Sequence, residues 1–480
     1  MITYKSQKQL KLEGFETPFE AKLDANNRWV KLSQSIPWDE LASGYYRNLS
    51  STQGRPAKDA RLVIGAVIIK HKLCLSDEET VLQIRENFYL QYFVGFPAYQ
   101  DKQPFAPSLF VEIRRRMGEE TFVHFQQAIV NAMENRSSTV LGKDKERCDH
   151  KDDEPPCQGR TASACDEALV VPEDAPGVDE VSTHQGKLIL DATVAEQAIR
   201  FPTDLSLLNE GREISEQIID VLHALLGRKT KPRTYRQMAR KDYLAIVKQR
   251  RASRKVLRKG IRQQLQYLRR NFQHIEQLLD AFPGRSIPLP YSLLRKYWII
   301  QHVYNQQEAM YRLKCQRCDH RIVSIHQPHV RPIVRGKANK VAEFGAKLSV
   351  SLTVSGIASV DHIRWDAFHE GGDLPTQVEA YKQRYGYYPQ SVLGDTIYGT
   401  RDNRHYLKEK GIHFAGKPLG RPPKITEVNR AQFKQLQKQR REDYRQRIPI
   451  EGKFGQGKNG YNLNYIRAKT ARTSEAWINS

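Results

Sequence analysis

The sequence predicts an α/β domain with a basic helical stretch between its strands, preceded by an all-α domain. Three observations predict it. Short apolar runs end on aspartates, at Asp191 and Asp395, and read as buried strands. Between them lie apolar residues at the spacing of long helices. The first 136 residues carry helical spacing and capping signals.

The N-terminal domain spans 1–136. RPAKDARLVIGAVIIKHKL, from Arg55, has helical apolar spacing, and Ser76 with Glu79 forms a capping box opening a second helix through SDEETVLQIREN. Pro107 and Ser108 open a third helix, which the pattern carries unbroken through SLFVEIRRRMGEETFVHFQQAIVNAM. Short helices joined by tight turns suit a DNA reader of the helix-turn-helix type, and equally a bundle used for dimerisation. Residues 137–183 change character: from Asp144 to Glu180 there are 12 acidic residues against 4 basic ones, with four prolines, which reads as a solvated, disordered linker. Its Cys148, Cys157 and Cys165 are spaced too widely for a zinc knuckle and read as free thiols.

The strand-bearing domain occupies 184–480. GKLILDATVA reads as a strand, Leu188 to Leu190 ending on Asp191. A helical stretch follows at about 205–312, which the resemblance named below makes an insertion. Ile214, Ile218, Leu222 and Leu225 mark one helix; Leu257, Ile261, Leu265, Leu268, Phe272, Ile275 and Leu279 mark another, stopped by Pro283 and Gly284. Leu348, Val350, Leu352 and Val354 alternate as a half-buried strand, and Ser355-Gly356 turns it into a hairpin partner from Ile357. DLPTQVEAYKQRYG reads as a helix, SVLGD as a strand ending on Asp395, and 424–446 as helix-forming. Asp204 reads as the cap of the helix beginning DLSLL.

The formal net charge over 480 residues is +23, which points to a polyanionic partner, nucleic acid first. Between Arg228 and Arg270 there are 17 Lys and Arg against one acid, Asp242. Solvated helix faces interleave both signs, so this run is read as a phosphate-contacting surface, with Arg228, Lys229, Arg250, Arg251, Arg254, Lys255, Arg258 and Lys259 as its DNA-binding candidates. The longest apolar run, 62–69, falls far short of the roughly 20 residues that span a bilayer, so no membrane partner is expected. The polar start and six scattered cysteines predict a reducing cytoplasmic setting, associated with the nucleoid.

A single aspartate after an apolar run is ordinarily a cap or a turn former. The stretch YRQRIPIEGKFGQGK adds Tyr444, Arg447, Glu451 and Lys458, spaced Tyr, two residues, Arg, three residues, Glu, six residues, Lys. That spacing resembles, at all four positions, the motif of bacterial insertion-sequence transposases with an Asp-Asp-Glu triad. ILDATVAEQAIRFPTDLSLL resembles the segment with that family's first catalytic Asp, SVLGDTIYGTRDNR the segment with the second, and GRPAKDARLVIGAVIIKHKLCLSDEETVLQIREN its N-terminal helical domain. The resemblance implies a ribonuclease H-like fold with Asp191 on its first strand, Asp395 on a neighbouring later strand and Glu451 on a following helix. It implies double-stranded DNA as partner, both element ends and target, and a homodimer assembled on it. Similar sequences continue beyond the position of Ser480 into a further apolar segment, so it also predicts a truncated copy or one frame of an interrupted element.

Phosphodiester cleavage suits these residues. Three carboxylates, Asp191, Asp395 and Glu451, offer the hard oxygens that Mg²⁺ prefers, with Mn²⁺ as a substitute. Arg447, able to fork onto a phosphate, and Lys458, a point charge, supply positive charge beside Glu451, and Tyr444 a surface for stacking or for a phosphate bond, so all three are DNA-binding candidates. One helix would set these four positions on roughly one face; Pro449 instead favours a new helix beginning there, with Glu451 in its first turn. Cys315 and Cys318, near His320, His326 and His329, form a secondary zinc candidate. Arg331, Arg335, Lys337 and Lys340 are loop cations that suit either DNA or solvent. A non-catalytic DNA-binding regulator and a structure-selective nuclease of the same fold remain as competing readings.

Overall fold

The computed structural model describes residues 22–47, 57–118, most of 120–132, 184–282, 286–334, 342–420 and 430–480, with isolated positions 49 and 426. The acidic stretch with its three cysteines, Arg55, Pro283, Gly284, Arg335, Lys337 and Lys340 lie outside the described residues.

The front of the chain folds as helices α1 (Arg28–Ser35), α2 (Trp38–Tyr46), α3 (Ala60–Lys72), α4 (Asp77–Glu86), α5 (Phe88–Phe93) and α6 (Leu109–Arg116). Helix α3 is their centre and is buried on almost every side. Asp59 caps it by accepting from the Arg61 and Leu62 amides. The buried Arg61 guanidinium is satisfied by Ser33 Oγ and the carbonyls of Tyr92 and Phe93, and it stacks over Trp38 at 4.8 Å. Ser76 caps α4 through the Glu79 amide, while the Glu79 carboxylate accepts from Gln83. The third helix is not continuous: α6 stops at Arg116, and helix resumes at 120 after Met117 and Gly118. Gly118 lacks the side chain that would favour continuation.

The second part is built on one six-stranded sheet: β1 (Lys187–Glu196), β2 (Arg331–Ile333), β3 (Glu343–Thr353), β4 (Ala358–Arg364), β5 (Ser391–Leu393) and β6 (His413–Phe414). Its order is β2-β3-β1-β5-β6, with β4 also on β3. The central β1 runs antiparallel to β3 and parallel to β5. β3 and β4 form the expected hairpin, turned by Gly356 at φ +79°.

Two sequence expectations for these strands are corrected. β1 does not end on Asp191 but runs five residues further, because antiparallel pairing with β3 continues to Glu196. β3 is buried on both faces rather than one. Leu348, Val350 and Leu352 lie under one layer, while Ser349 and Ser351 meet the buried carboxylates of Asp373 and Asp361 on the other. Val354, just past the strand, is exposed.

Between β1 and β2 stand four helices: α7 (Asp204–Leu226), α8 (Arg236–Val247), α9 (Arg254–Leu279) and α10 (Tyr291–Leu313). α7, α9 and α10 share a core of Leu208, Ile218, Leu222, Leu268, Ile275 and Ile300. Leu225 and Leu257, at the margins of that stripe, are exposed. The cap of α7 is Thr203, not Asp204. Thr203 is extended and forms a reciprocal box with Ser206, which leaves the Asp204 carboxylate to accept from Gln307 and Arg321.

Helices α11 (Leu374–Tyr385) and α12 (Arg401–Glu409) cover one face of the sheet, over Leu188, Leu190 and Val392. The other face receives α13 (Arg430–Gly460) and α14 (Ala471–Asn479). α14 joins the two parts of the protein. Its Ala476 packs into the core of the front helices, while Trp477 and Ile478 pack with Leu348 and Val350 of the sheet.

Candidate active site

Asp191 lies in β1 opposite Val350. The parallel register with β5 ends at Ile189 and Leu393, and Asp191 and Asp395 each follow that last pair by two residues. Past β5 the backbone turns into a short 3-10 segment, Thr396–Tyr398. Asp395 caps it, with Oδ1 accepting from the Thr396 amide at 2.6 Å. The turn-former role and a role in the site are thus compatible for this residue.

Glu451 arrives on α13, a 31-residue helix that runs straight through Pro449. The expectation of a new helix starting at Pro449 is therefore corrected. An interior proline forfeits one backbone hydrogen bond and costs about 3 kcal/mol. The next residue, Ile450, offsets this: it is fully buried with Ile189, Leu352 and Leu393, and burial of an isoleucine contributes about 1.5–3 kcal/mol. Lys187 on β1 also holds the helix by donating to Gln446 at 2.7 Å. Tertiary contact thus overrides local propensity, and Arg447, Glu451 and Lys458 share one helix side, with Tyr444 a turn earlier.

Arg447 is the junction. Nη1 donates to Asp191 Oδ2 at 3.0 Å and Nη2 to Glu451 Oε1 at 2.7 Å. Its side chain is 15% exposed, that of Asp191 16% and that of Glu451 53%. The guanidinium carbon also sits 5.7 Å from the Tyr444 ring. So the residue expected to fork onto a phosphate forks onto two carboxylates. Asp395 borders a neighbouring cleft of about 680 Å³ that Tyr444 and Arg447 also line. Lys417, Arg440, Arg441, Arg445 and Asp443 also line it; the sequence reading missed them, though the run of cations around Tyr444 was a signal for the arginines. Behind the site Tyr398 is fully buried, and burial, with the nearby carboxylates of Glu370 and Asp191, pushes its phenol up.

Among the described residues no group of three or more His, Cys, Asp or Glu is gathered to hold a metal ion. The three acids nonetheless offer hard oxygen donors, and two of them already converge on one cation, Arg447. Carboxylate oxygens are of the kind a divalent ion prefers, while in the structure two of these carboxylates bind the Arg447 guanidinium. The zinc candidate does not assemble. His320 pairs with Asp366 and His326 with Glu210, while His329 meets the Trp365 ring edge-on at 4.4 Å. Cys315 is exposed, and burial pushes the Cys318 thiol up.

The eight basic candidates of the insertion are all exposed. Arg228 and Lys229 follow α7, Arg250 and Arg251 stand between α8 and α9, and Arg254, Lys255, Arg258 and Lys259 occupy the first two turns of α9. Arg254 and Arg258 line a cleft of about 930 Å³ with Arg200, Lys314 and Arg321. Arg258 lies over the Tyr311 ring at 4.1 Å. Cations at a helix N-terminus oppose the macrodipole, an arrangement that an anionic ligand relieves.

Two transposase models match the ends of the chain. One, described as a transposase DDE domain, matches residues 392–479, a span that includes Asp395, Arg447, Glu451 and Lys458. The other, described as a transposase domain, matches residues 17–116, the front helices. Asp191 lies outside both spans. A helical front and a carboxylate-bearing α/β domain thus carry transposase signatures at both ends. Both ends of the chain are therefore similar to insertion-sequence transposases of the Asp-Asp-Glu type. Over 121 residues, 25% of this chain, it is 36% identical to "Uncharacterized protein ORF8 in nfe locus" of Rhizobium meliloti. The match spans 56% of that protein, so the chain covers little more than half the length of this curated relative. No solved structure matches. No helix among the described residues is long and apolar enough to cross a membrane.

Proposed function

We propose that this protein is a DNA transposase that binds the terminal inverted repeats of its insertion sequence, cuts a strand there and joins it to target DNA. The observation that carries the reading is the Arg447 link between Asp191 and Glu451, with Asp191 and Asp395 each two residues past the last pair of two adjacent parallel strands. The strand order supports a ribonuclease H-like domain, with β3 the antiparallel second strand and β5 returning beside β1.

In this reading Asp191, Asp395 and Glu451 hold Mg²⁺, or Mn²⁺ in its place. A divalent ion held by these carboxylates would stabilise the entering and leaving oxygens of an in-line displacement. In the first step water attacks phosphorus and the 3′ oxygen leaves, giving a 3′-hydroxyl and a 5′-phosphate. In the second step that hydroxyl attacks a target phosphorus and the target's own 3′ oxygen leaves. Lys417, Arg440, Arg441 and Tyr444 hold the strand along the cleft beside Asp395, and Lys458 adds charge further along α13. The exposed cations of the insertion, from Arg228 to Lys259, grip duplex phosphates without reading sequence. The protein works as a homodimer on DNA in the cytoplasm, one copy for each element end.

The test is a cleavage assay with Mg²⁺ and DNA bearing the inverted repeats that flank the gene. Asp191→Ala, Asp395→Ala and Glu451→Ala should each abolish cleavage while leaving DNA binding intact. Cleavage that survives loss of Asp395 removes the site assignment.

A further inference from the structure

We propose that Arg447 is an internal counter-ion that keeps the acidic site closed to divalent metal until a DNA phosphate draws it away. The inference rests on the three-acid reading of the site given above. It starts from an exchange of partners: the oxygens a metal would need from Asp191 and Glu451 are those that accept from Arg447 Nη1 and Nη2. A guanidinium is a fork of five donors with no acceptor, so Arg447 frees the acids only by moving. Metal binding without DNA therefore has to break two charge-assisted hydrogen bonds, one of them to a carboxylate largely withdrawn from water.

The structure also offers Arg447 a second position. The same side chain borders the cleft that holds Asp395, Tyr444, Arg440, Arg441 and Lys417. With Arg445 these make four other cations against two acids, Asp395 and Asp443, so the cleft favours a phosphate, and a phosphate presents the paired oxygens a guanidinium fork prefers. Tyr444, one turn before Arg447 on α13, stands beside the guanidinium on the cleft side. A phosphate entering the cleft thus competes with the acids for the arginine, and the acids it releases take up metal. The arrangement admits metal when a strand is present to be cut.

The exchange predicts a coupling that can be measured without catalysis. Mn²⁺ binding to the full chain is titrated by electron paramagnetic resonance, first without DNA. Arg447→Met should bind Mn²⁺ about tenfold more tightly than the unaltered protein, the scale of a typical coupling between sites. Arg447→Lys, which keeps the charge but not the fork, should fall between them and serves as the test if the methionine variant does not fold. A short duplex oligonucleotide should tighten Mn²⁺ binding in the unaltered protein by a similar factor, and have no such effect in Arg447→Met. Unchanged or weaker Mn²⁺ affinity in both variants, or no effect of DNA on the unaltered protein, overturns the proposal. The site reading fails separately: in the Arg447→Met background, Asp191→Asn and Glu451→Gln should each weaken Mn²⁺ binding, and indifference to both means the metal is held elsewhere.

Discussion

His71, on the last turn of α3, offers a sharp test of how the two parts of the protein are joined. Its imidazole is buried at the junction with α14, 5.2 Å from the Trp477 ring and perpendicular to it, and hydrogen-bonded to Ser480 Oγ at 3.1 Å. Burial, reinforced by the positive charges of Lys70 and Arg114, pushes its pKa down to about 3. An unfolded histidine titrates near 6.5. The unfolded chain therefore takes up a proton that the folded chain refuses, and stability is lost as pH falls below the unfolded value. Above pH 7 the residue contributes no penalty. At pH 5 the gap between the two states amounts to about 2 kcal/mol, from 1.5 pH units at about 1.36 kcal/mol each. Urea unfolding followed by far-ultraviolet circular dichroism at pH 7 and pH 5 measures it, with His71→Gln as the non-titrating control. Carboxylates elsewhere contribute equally to both proteins, so the difference between them isolates the imidazole. Equal pH sensitivity in the two would refute the reasoning.

Three further outcomes follow from the same geometry. Arg212 is 1% exposed and donates to the buried Glu216 and to Asn209, so Arg212→Ala should destabilise the insertion by about 3–5 kcal/mol, whereas Arg212→Met with Glu216→Leu should come close to neutral in the same unfolding assay. Ile450→Ala should cost about 2–5 kcal/mol, read as a shift in thermal midpoint, because it empties the contact that seats α13 on the sheet despite Pro449. Changing Arg228, Lys229, Arg250 and Arg251 together to Gln should weaken DNA binding and reduce the slope of its logarithm against that of salt concentration by about 3–4. An unchanged slope removes these residues from the interface.

Much of the fold was legible because long amphipathic helices and alternating strands leave periodic traces. The stripe from Ile261 to Ile275 packs as its spacing implies, and Gly356 turns the hairpin where a flexible residue was available. What failed was local grammar overruled by distant contacts. Pro449 reads as a helix start, but Ile450 has a slot between Ile189 and Leu393 that no local pattern reveals. Asp204 reads as a cap, yet Thr203 takes that task and Arg321, 117 residues on, takes the aspartate. In the site, the motif spacing identified Arg447 but not its partners. Which acceptor a guanidinium chooses depends on how β1 and α13 cross, and that is set by the whole sheet.

The last described helix has a consequence for how the protein comes into being. Ala476 completes the core of the front helices, and Trp477, lying under the Lys70 ammonium at 4.9 Å, seals the α3 end of them. Synthesis proceeds from the other end, so the front helices leave the ribosome hundreds of residues before the segment that closes them. Until then His71 and its apolar surroundings face water, and the bundle is a ring without its clasp. A nascent chain is thereby a different molecule from the finished one, and the front unit gains its final surface only when the catalytic unit has been made.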